Sequence, residues 1–361
     1  MVGGGPAGLA AGIALAQAGF ETTVLERGIP PIDKACGEGV MPEGIAAITE
    51  LGLKVPSDIG FRFAGIRFRD AHSVVAGNFP NGEGLGMRRT VLHSLLVRRA
   101  QNAGVAIAWG VKNVHFVRGG LQAGGRAVKA KFVVAADGQN SHLRSQAGLD
   151  RTRRERRRYG FRRHYRIAPW CPYTELYWGP GCQIYITPVA KDELCVALLS
   201  SDPRLRLETA LTHFPEVRCR LESAIAVSKE MGGLSVSRTL QNVCNSNVAL
   251  VGDASGSVDA VTGDGLSLAF SQSLALAAAL KSGDIRSYQA QHRQLSRRPQ
   301  MMALLMLTLD KTQWFQRRAL ASLARTPTVF EKLLDVHVGA RSFKDLASRD
   351  LVNLCETFLF A

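Results

Sequence analysis

Nowhere does the 361-residue chain reach the ~18 uninterrupted apolar residues that a membrane-spanning helix needs. The apolar stretch Leu9–Phe20 lacks the basic flank of a secretory signal, so a soluble, cytoplasmic protein is expected. Its seven cysteines (Cys36, Cys171, Cys182, Cys195, Cys219, Cys244 and Cys355) contain no C-x-x-C pair. That removes the common zinc and disulfide frameworks and leaves reduced thiols. The eight histidines show neither metal-ligand spacing nor a serine–acid arrangement, so no metal site is expected. Helix-turn-helix, zinc-finger and RNA-binding aromatic patterns are absent too, and nucleic acid is not an expected partner despite a net charge of +15. Much of that charge lies in Arg151–Arg166. This run reads first as a solvated basic segment, and second as an attractor for anionic substrate, nicotinamide phosphates or a membrane surface.

Residues 2–27 carry the strongest positive signal: a strand end, a glycine turn, a helix and a second strand that stops on an acid. Gly3 permits the tight turn, Gly5 lets backbone approach a pyrophosphate, and Gly8 allows close helix packing. Pro6 and Ala7 open the helix, whose N-terminal amides face the phosphates. Glu26 follows at about the 20-residue interval of a ribose-binding acid, with Arg27 beside it. The strand entering Gly3 offers only Met1 and Val2, where about five or six residues are usual. Either that strand is short or the natural start lies upstream.

Further along, strands are expected at Phe61–Phe68, Ser73–Phe79, Asn113–Val117, Gly120–Ala123 and Ala127–Val134, and helices at Glu43–Leu51 and Val91–Ala103. Strands at Glu175–Trp178, Cys182–Thr187 and Leu194–Ser200 follow, then Val248–Val251, the helix Leu266–Leu280, and a mostly helical end broken near Pro327. The fold class is α/β: a Rossmann-like FAD-binding domain with a parallel sheet, a mixed-sheet substrate domain and a C-terminal helical region. The expected boundaries are 1–60, 88–158 and 245–285 for the first, 61–87 and 159–244 for the second, and 286–361 for the cap.

Two more motifs stand after strands: Asp137-Gly138-x-x-Ser141-x-x-Arg144, and Gly252-Asp253-Ala254 followed by Gly263-Asp264-Gly265. With the first cradle, this ordered set resembles the FAD-dependent class A flavoprotein monooxygenases and their relatives, the geranylgeranyl reductases and flavin-dependent halogenases. The resemblance spans roughly residues 2–290. It implies FAD as cofactor and NAD(P)H as transient electron donor. It also implies that Asp253 binds the ribityl chain, that Gly263, Gly265 and Leu266 lie under the flavin ring, and that Asp137 and Gly252 border the cofactor. Arg89, through Leu92 and Leu96, matches an arginine that approaches FAD, with Arg88 as competitor.

Departures from the family pattern bear on the reaction. Gly256 and Ala260 replace the histidine and proline of aromatic hydroxylases, while the reductases' Y-x-W-x-F-P is missing around Tyr185-Ile-Thr-Pro188. Trp109, Trp170, Trp178 and Trp314 are isolated, which places halogenation last. The resemblance thus implies first a monooxygenase hydroxylating a hydrophobic or aromatic small molecule through a C4a-hydroperoxyflavin. The alternatives are a double-bond reductase of isoprenoid lipids and a non-catalytic flavin-binding or redox-sensing module. Cys36 is a candidate flavin-side thiol against a packing role, and His164 and Tyr185 are candidate substrate contacts. The apolar Met301–Leu309 reads as a core helix, or as a lid with peripheral membrane contact. Substrate identity and oligomeric state stay open.

Overall fold

The computed structural model describes residues 1–310 and 312–359. Five parallel segments build the first sheet in the order Ala106–Ala108, Thr23–Leu25, Val2, Val133–Ala135 and Val248–Leu250, with Cys244–Asn245 antiparallel at the far edge. Val2 alone bridges the two halves. Its N–H donates to Val134 O at 2.9 Å, its carbonyl accepts from Ala136 N at 2.7 Å, and Gly3 N donates to Leu25 O at 2.8 Å. Helix Pro6–Gln17 is apolar nearly all round, with nine of its twelve residues buried. It is therefore a core helix rather than a surface one, and it packs between helices Arg89–Asn102 and Gly265–Lys281.

The second sheet has eight strands. Its path runs Ile225–Ala226, Thr152–Arg166, Glu193–Ser200, Cys182–Ala190, Tyr173–Gly179, Gly65–Arg69 and Val74–Asn78, with Met231–Leu240 also on Thr152–Arg166. Strand alternation sends Leu176 and Trp178 to one face, against Met306, Leu309 and Leu320 of the C-terminal helices, and Tyr177 to the other, against Phe214. The expected strand Ala127–Val134 divides into Arg126–Lys129, which closes a small antiparallel sheet, and Val133–Ala135 in the first sheet.

The basic run corrects one expectation. It is a fifteen-residue strand, Thr152–Arg166, that runs across the expected boundary at residue 158. Only the stretch 151–157 is uniformly exposed. Arg158 and Arg162 face inward because alternate strand residues share a face, and each meets an acid distant in sequence. Arg158 Nη1 lies 3.2 Å from Asp259 Oδ1, and Arg162 Nη2 lies 2.5 Å from Asp33 Oδ1.

The C-terminal region comprises helices Ile285–Leu309, Gln313–Arg325, Pro327–His337 and Ser348–Leu359. Pro327 starts a helix at N1, where its missing N–H costs nothing. No described helix is long and apolar enough to cross a membrane.

Candidate functional site

One cavity of about 1990 Å³ runs from the glycine turn, between the two sheets, to the C-terminal helices. That is about twice the upper end of the ~300–1,000 Å³ usual for a single ligand, as two molecules side by side require. Gly3, Gly5, Pro6, Ala7, Glu26, Arg27, Arg89, Asp137, Gly252, Asp253, Gly263, Gly265 and Leu266 all line it.

The three glycines of the turn differ in what a side chain would meet. A Cβ on Gly3, at φ +108°, would strike Ala136 O at 2.2 Å, and one on Gly8 would strike Gly3 O at 1.8 Å. A Cβ on Gly5 meets nothing within 4 Å. Two glycines thus serve packing, while the third keeps an open cradle beside a helix N-terminus that no side chain caps. Glu26 braces the turn: its carboxylate accepts from Gly4 N at 2.5 Å and Gly28 N at 2.7 Å. His93, which the sequence left unassigned, supports the turn from helix Arg89–Asn102. Its Nε2 donates to Gly4 O at 2.9 Å and its Nδ1 accepts from Ile32 N at 3.5 Å. Burial lowers its pKa, consistent with that neutral tautomer.

Arg89 and Arg88 separate cleanly. Arg88 Nε reaches Glu193 at 2.5 Å, whereas Arg89 lines the cavity with its Nε buried and unpartnered among the described residues. Asp137 accepts from His142 N at 3.1 Å through Oδ2 and leaves Oδ1 buried without a partner. Asp253 pairs with Lys34 Nζ at 2.9 Å. Burial would raise its pKa, but the Lys34 ammonium and Arg89 outweigh that and hold the carboxyl below its usual range. Gly265, like Gly5 and Gly138, leaves open space where a Cβ would stand. Orphaned polar atoms and an open backbone cradle at both ends of the cavity fit a dinucleotide.

Cys36 lies on the cavity wall, its Sγ accepting from Glu38 N at 3.4 Å. Tyr185 lines the cavity and donates its hydroxyl to Val261 O. His164, expected on the substrate face, is only 1% exposed and lies off the wall. It sits instead in a network missed by sequence reasoning: Nε2 is 2.6 Å from Glu38 Oε2, and Nδ1 is 3.0 Å from Ser228 Oγ. Glu38 also takes Arg89 N at 3.0 Å, tying the Cys36 loop to the Arg89 helix. Ligand atoms of Glu38, His164 and Cys195 lie within 4.8 Å of one another. Arg162 Nε is 3.6 Å from Glu38, and burial raises the Cys195 thiol pKa well above its usual value. A resident cation and a neutral thiol suit a hydrogen-bond network better than a metal centre.

Behind the glycine turn at 263–265 lies an acid cluster. Glu43 Oε1 is 3.2 Å from Arg298, and Asp264 Oδ1 is 3.7 Å from His337 Nε2. Burial and the Asp264 charge push the Glu43 pKa up to about 7. Burial also raises that of Asp264, against the opposing pull of His337 and Arg298.

The NAD(P)-binding Rossmann-like domain family matches residues 1–30. The chain is 27% identical over 300 residues to a digeranylgeranylglycerophospholipid reductase of Methanocaldococcus jannaschii, covering 74% of this chain and 73% of that protein. It is 26% identical over 315 residues to a menaquinone reductase of Mycobacterium tuberculosis strain H37Rv, covering 79% and 76% respectively. Among solved structures it resembles 2-methyl-3-hydroxypyridine-5-carboxylic acid oxygenase, with TM-score 0.70 and 22% identity over 93% of this chain and 94% of that one. Fold, cradle and these likenesses together place the chain in the FAD-dependent oxidoreductase superfamily that holds both geranylgeranyl reductases and flavoprotein oxygenases.

Proposed function

We propose that the protein reduces carbon–carbon double bonds of an isoprenoid lipid, using FAD with NAD(P)H as electron donor. The observation that carries this reading is the apolar extension of the cavity beyond the Gly263–Leu266 turn. It is walled by Leu176, Met306, Leu309, Leu323, Phe330 and Leu334 and reaches the last helix at Phe358. A compact aromatic substrate has no use for so long an apolar channel, whereas a polyprenyl chain gains about 25 cal/mol per Å² buried along it. The two reductase relatives support the same order, which reverses the ranking expected from the sequence. Oxygenation stays the second reading, supported by the name of the structurally similar pyridine-carboxylic acid oxygenase.

When bound, FAD supplies a two-electron carrier between nicotinamide and substrate. The chain's own residues hold and shield it. The amides after Gly5 and the Glu26 carboxylate receive the pyrophosphate and adenosine ribose, and Asp253 and Arg89 the middle of the molecule. The N-terminus of helix Gly265–Lys281 presents partial positive charge to the ring edge, where reduced flavin is anionic. The apolar channel excludes water.

Oxidation of NADPH by the FAD-loaded protein, followed at its near-ultraviolet absorbance under nitrogen, tests this reading. Geranylgeraniol should stimulate it without oxygen. Stimulation seen only in air, with matching oxygen uptake, would favour oxygenation, and no flavin reduction by either nicotinamide would favour the non-catalytic module.

A further inference from the structure

His337 differs from the other buried histidines. His93, His164 and His292 have both ring nitrogens or their functional edge engaged by protein groups. His337 lies on the cavity wall, 4% exposed, with Nδ1 buried and unpartnered among the described residues. Its Nε2 is 3.7 Å from Asp264 Oδ1. Both Asp264 oxygens likewise lack a hydrogen-bond partner, and the residue is 2% exposed. Asp264 stands between Gly263 and Gly265, which themselves line the cavity. Two desolvated polar groups left unsatisfied are costly. Here they face each other at the junction of the cofactor turn and the apolar channel, where a substrate double bond would meet the cofactor.

We propose that His337 is the proton donor to the substrate, with Asp264 as its positioning residue. This rests on the double-bond reductase reading. The alkene gains a hydride, carrying both electrons, from anionic dihydroflavin at one carbon and a proton from the His337 imidazolium at the other. The π bond is lost, two C–H bonds form, the flavin returns to its oxidised state, and His337 is left neutral to be reprotonated by water. Asp264 holds the ring so that Nδ1 faces the cavity.

The test uses FAD-loaded enzyme, reduced with dithionite under nitrogen and mixed with geranylgeraniol, with flavin reoxidation followed by absorbance. His337→Gln should slow reoxidation by about 100-fold, the range for losing a general acid, with FAD affinity unchanged. Added imidazole should accelerate His337→Ala. In nitrogen-15 spectra of the oxidised holoenzyme, the His337 ring signals, assigned by their loss in His337→Gln, should move on Asp264→Asn and again on adding geranylgeraniol. An active wild type with unimpaired His337→Gln would overturn the proposal while leaving the reductase reading intact. A wild type that geranylgeraniol cannot reoxidise overturns the reading itself. The ring signals then still decide the dyad, since their indifference to both changes would contradict the placement of His337.

Discussion

Gly5 and Gly8 lie three residues apart, and substitution should divide them by consequence. Gly5→Val should fold, since its φ of −72° suits any residue and a Cβ meets nothing, yet lose FAD because the side chain fills the phosphate path. Circular dichroism should match wild type while flavin is absent from the purified protein. At Asp253 the loss should be graded. Lys34 is 43% exposed, so releasing it into solvent costs little and the change reports the cofactor contact. Asp253→Ala should weaken FAD by about 1 to 3 kcal/mol, the range for a hydrogen bond to a charged group, and an unchanged Kd by flavin fluorescence would remove Asp253 from the site. The glycines and Glu26 were legible because each role needs one residue type at one spacing. Lys34, Glu38, His93 and His337 were not, because the groups that give them meaning (Asp253, His164, the Gly4 carbonyl and Asp264) come from remote parts of the chain.

Among the elements, helices with continuous apolar content were the easiest to read, and Pro6–Gln17 differs from expectation only at its ends. The strand at 152–166 was harder. Its arginines suggest solvent, and only pairing with Glu193–Ser200 and Met231–Leu240 shows that Arg158 and Arg162 lie on a covered face. Met301–Leu309 combines both of its expected roles: Met302, Met306 and Leu309 are buried, whereas Met301, Leu304 and Leu305 are exposed. Leu305 is 43% exposed and also lines the cavity, so it stands at the mouth of the channel. Leu305→Glu should weaken geranylgeraniol binding about tenfold or more, from about 1.5 kcal/mol of lost apolar burial, and leave FAD affinity unchanged. Equal affinity for the lipid in both proteins would place substrate entry elsewhere.

At the level of the whole molecule, stability should vary with pH through buried groups of opposite sense. Glu43 in the folded protein keeps its proton to about pH 7, above its ordinary 4.5. The folded state therefore binds more protons between those values, and stability falls as pH rises through them. Glu43→Gln should flatten this slope by on the order of 2 kcal/mol in denaturant melts, set by the shift and offset by the lost Arg298 contact. His292, held neutral by burial down to about pH 4, acts the other way and withdraws stability as pH falls below 6.5. An unaltered pH profile in Glu43→Gln would mean that Glu43 is ionised in the folded state.

The cavity joins a cofactor cradle to an apolar channel, and the central claim is that the two meet over a double bond. Mass spectrometry of a lipid product formed without oxygen tests this most directly. Reduced, FAD-loaded protein incubated with geranylgeraniol under nitrogen should return a product heavier by two hydrogens, with one deuterium incorporated from heavy water per bond reduced. A product heavier by one oxygen atom, formed only in air, would contradict the account.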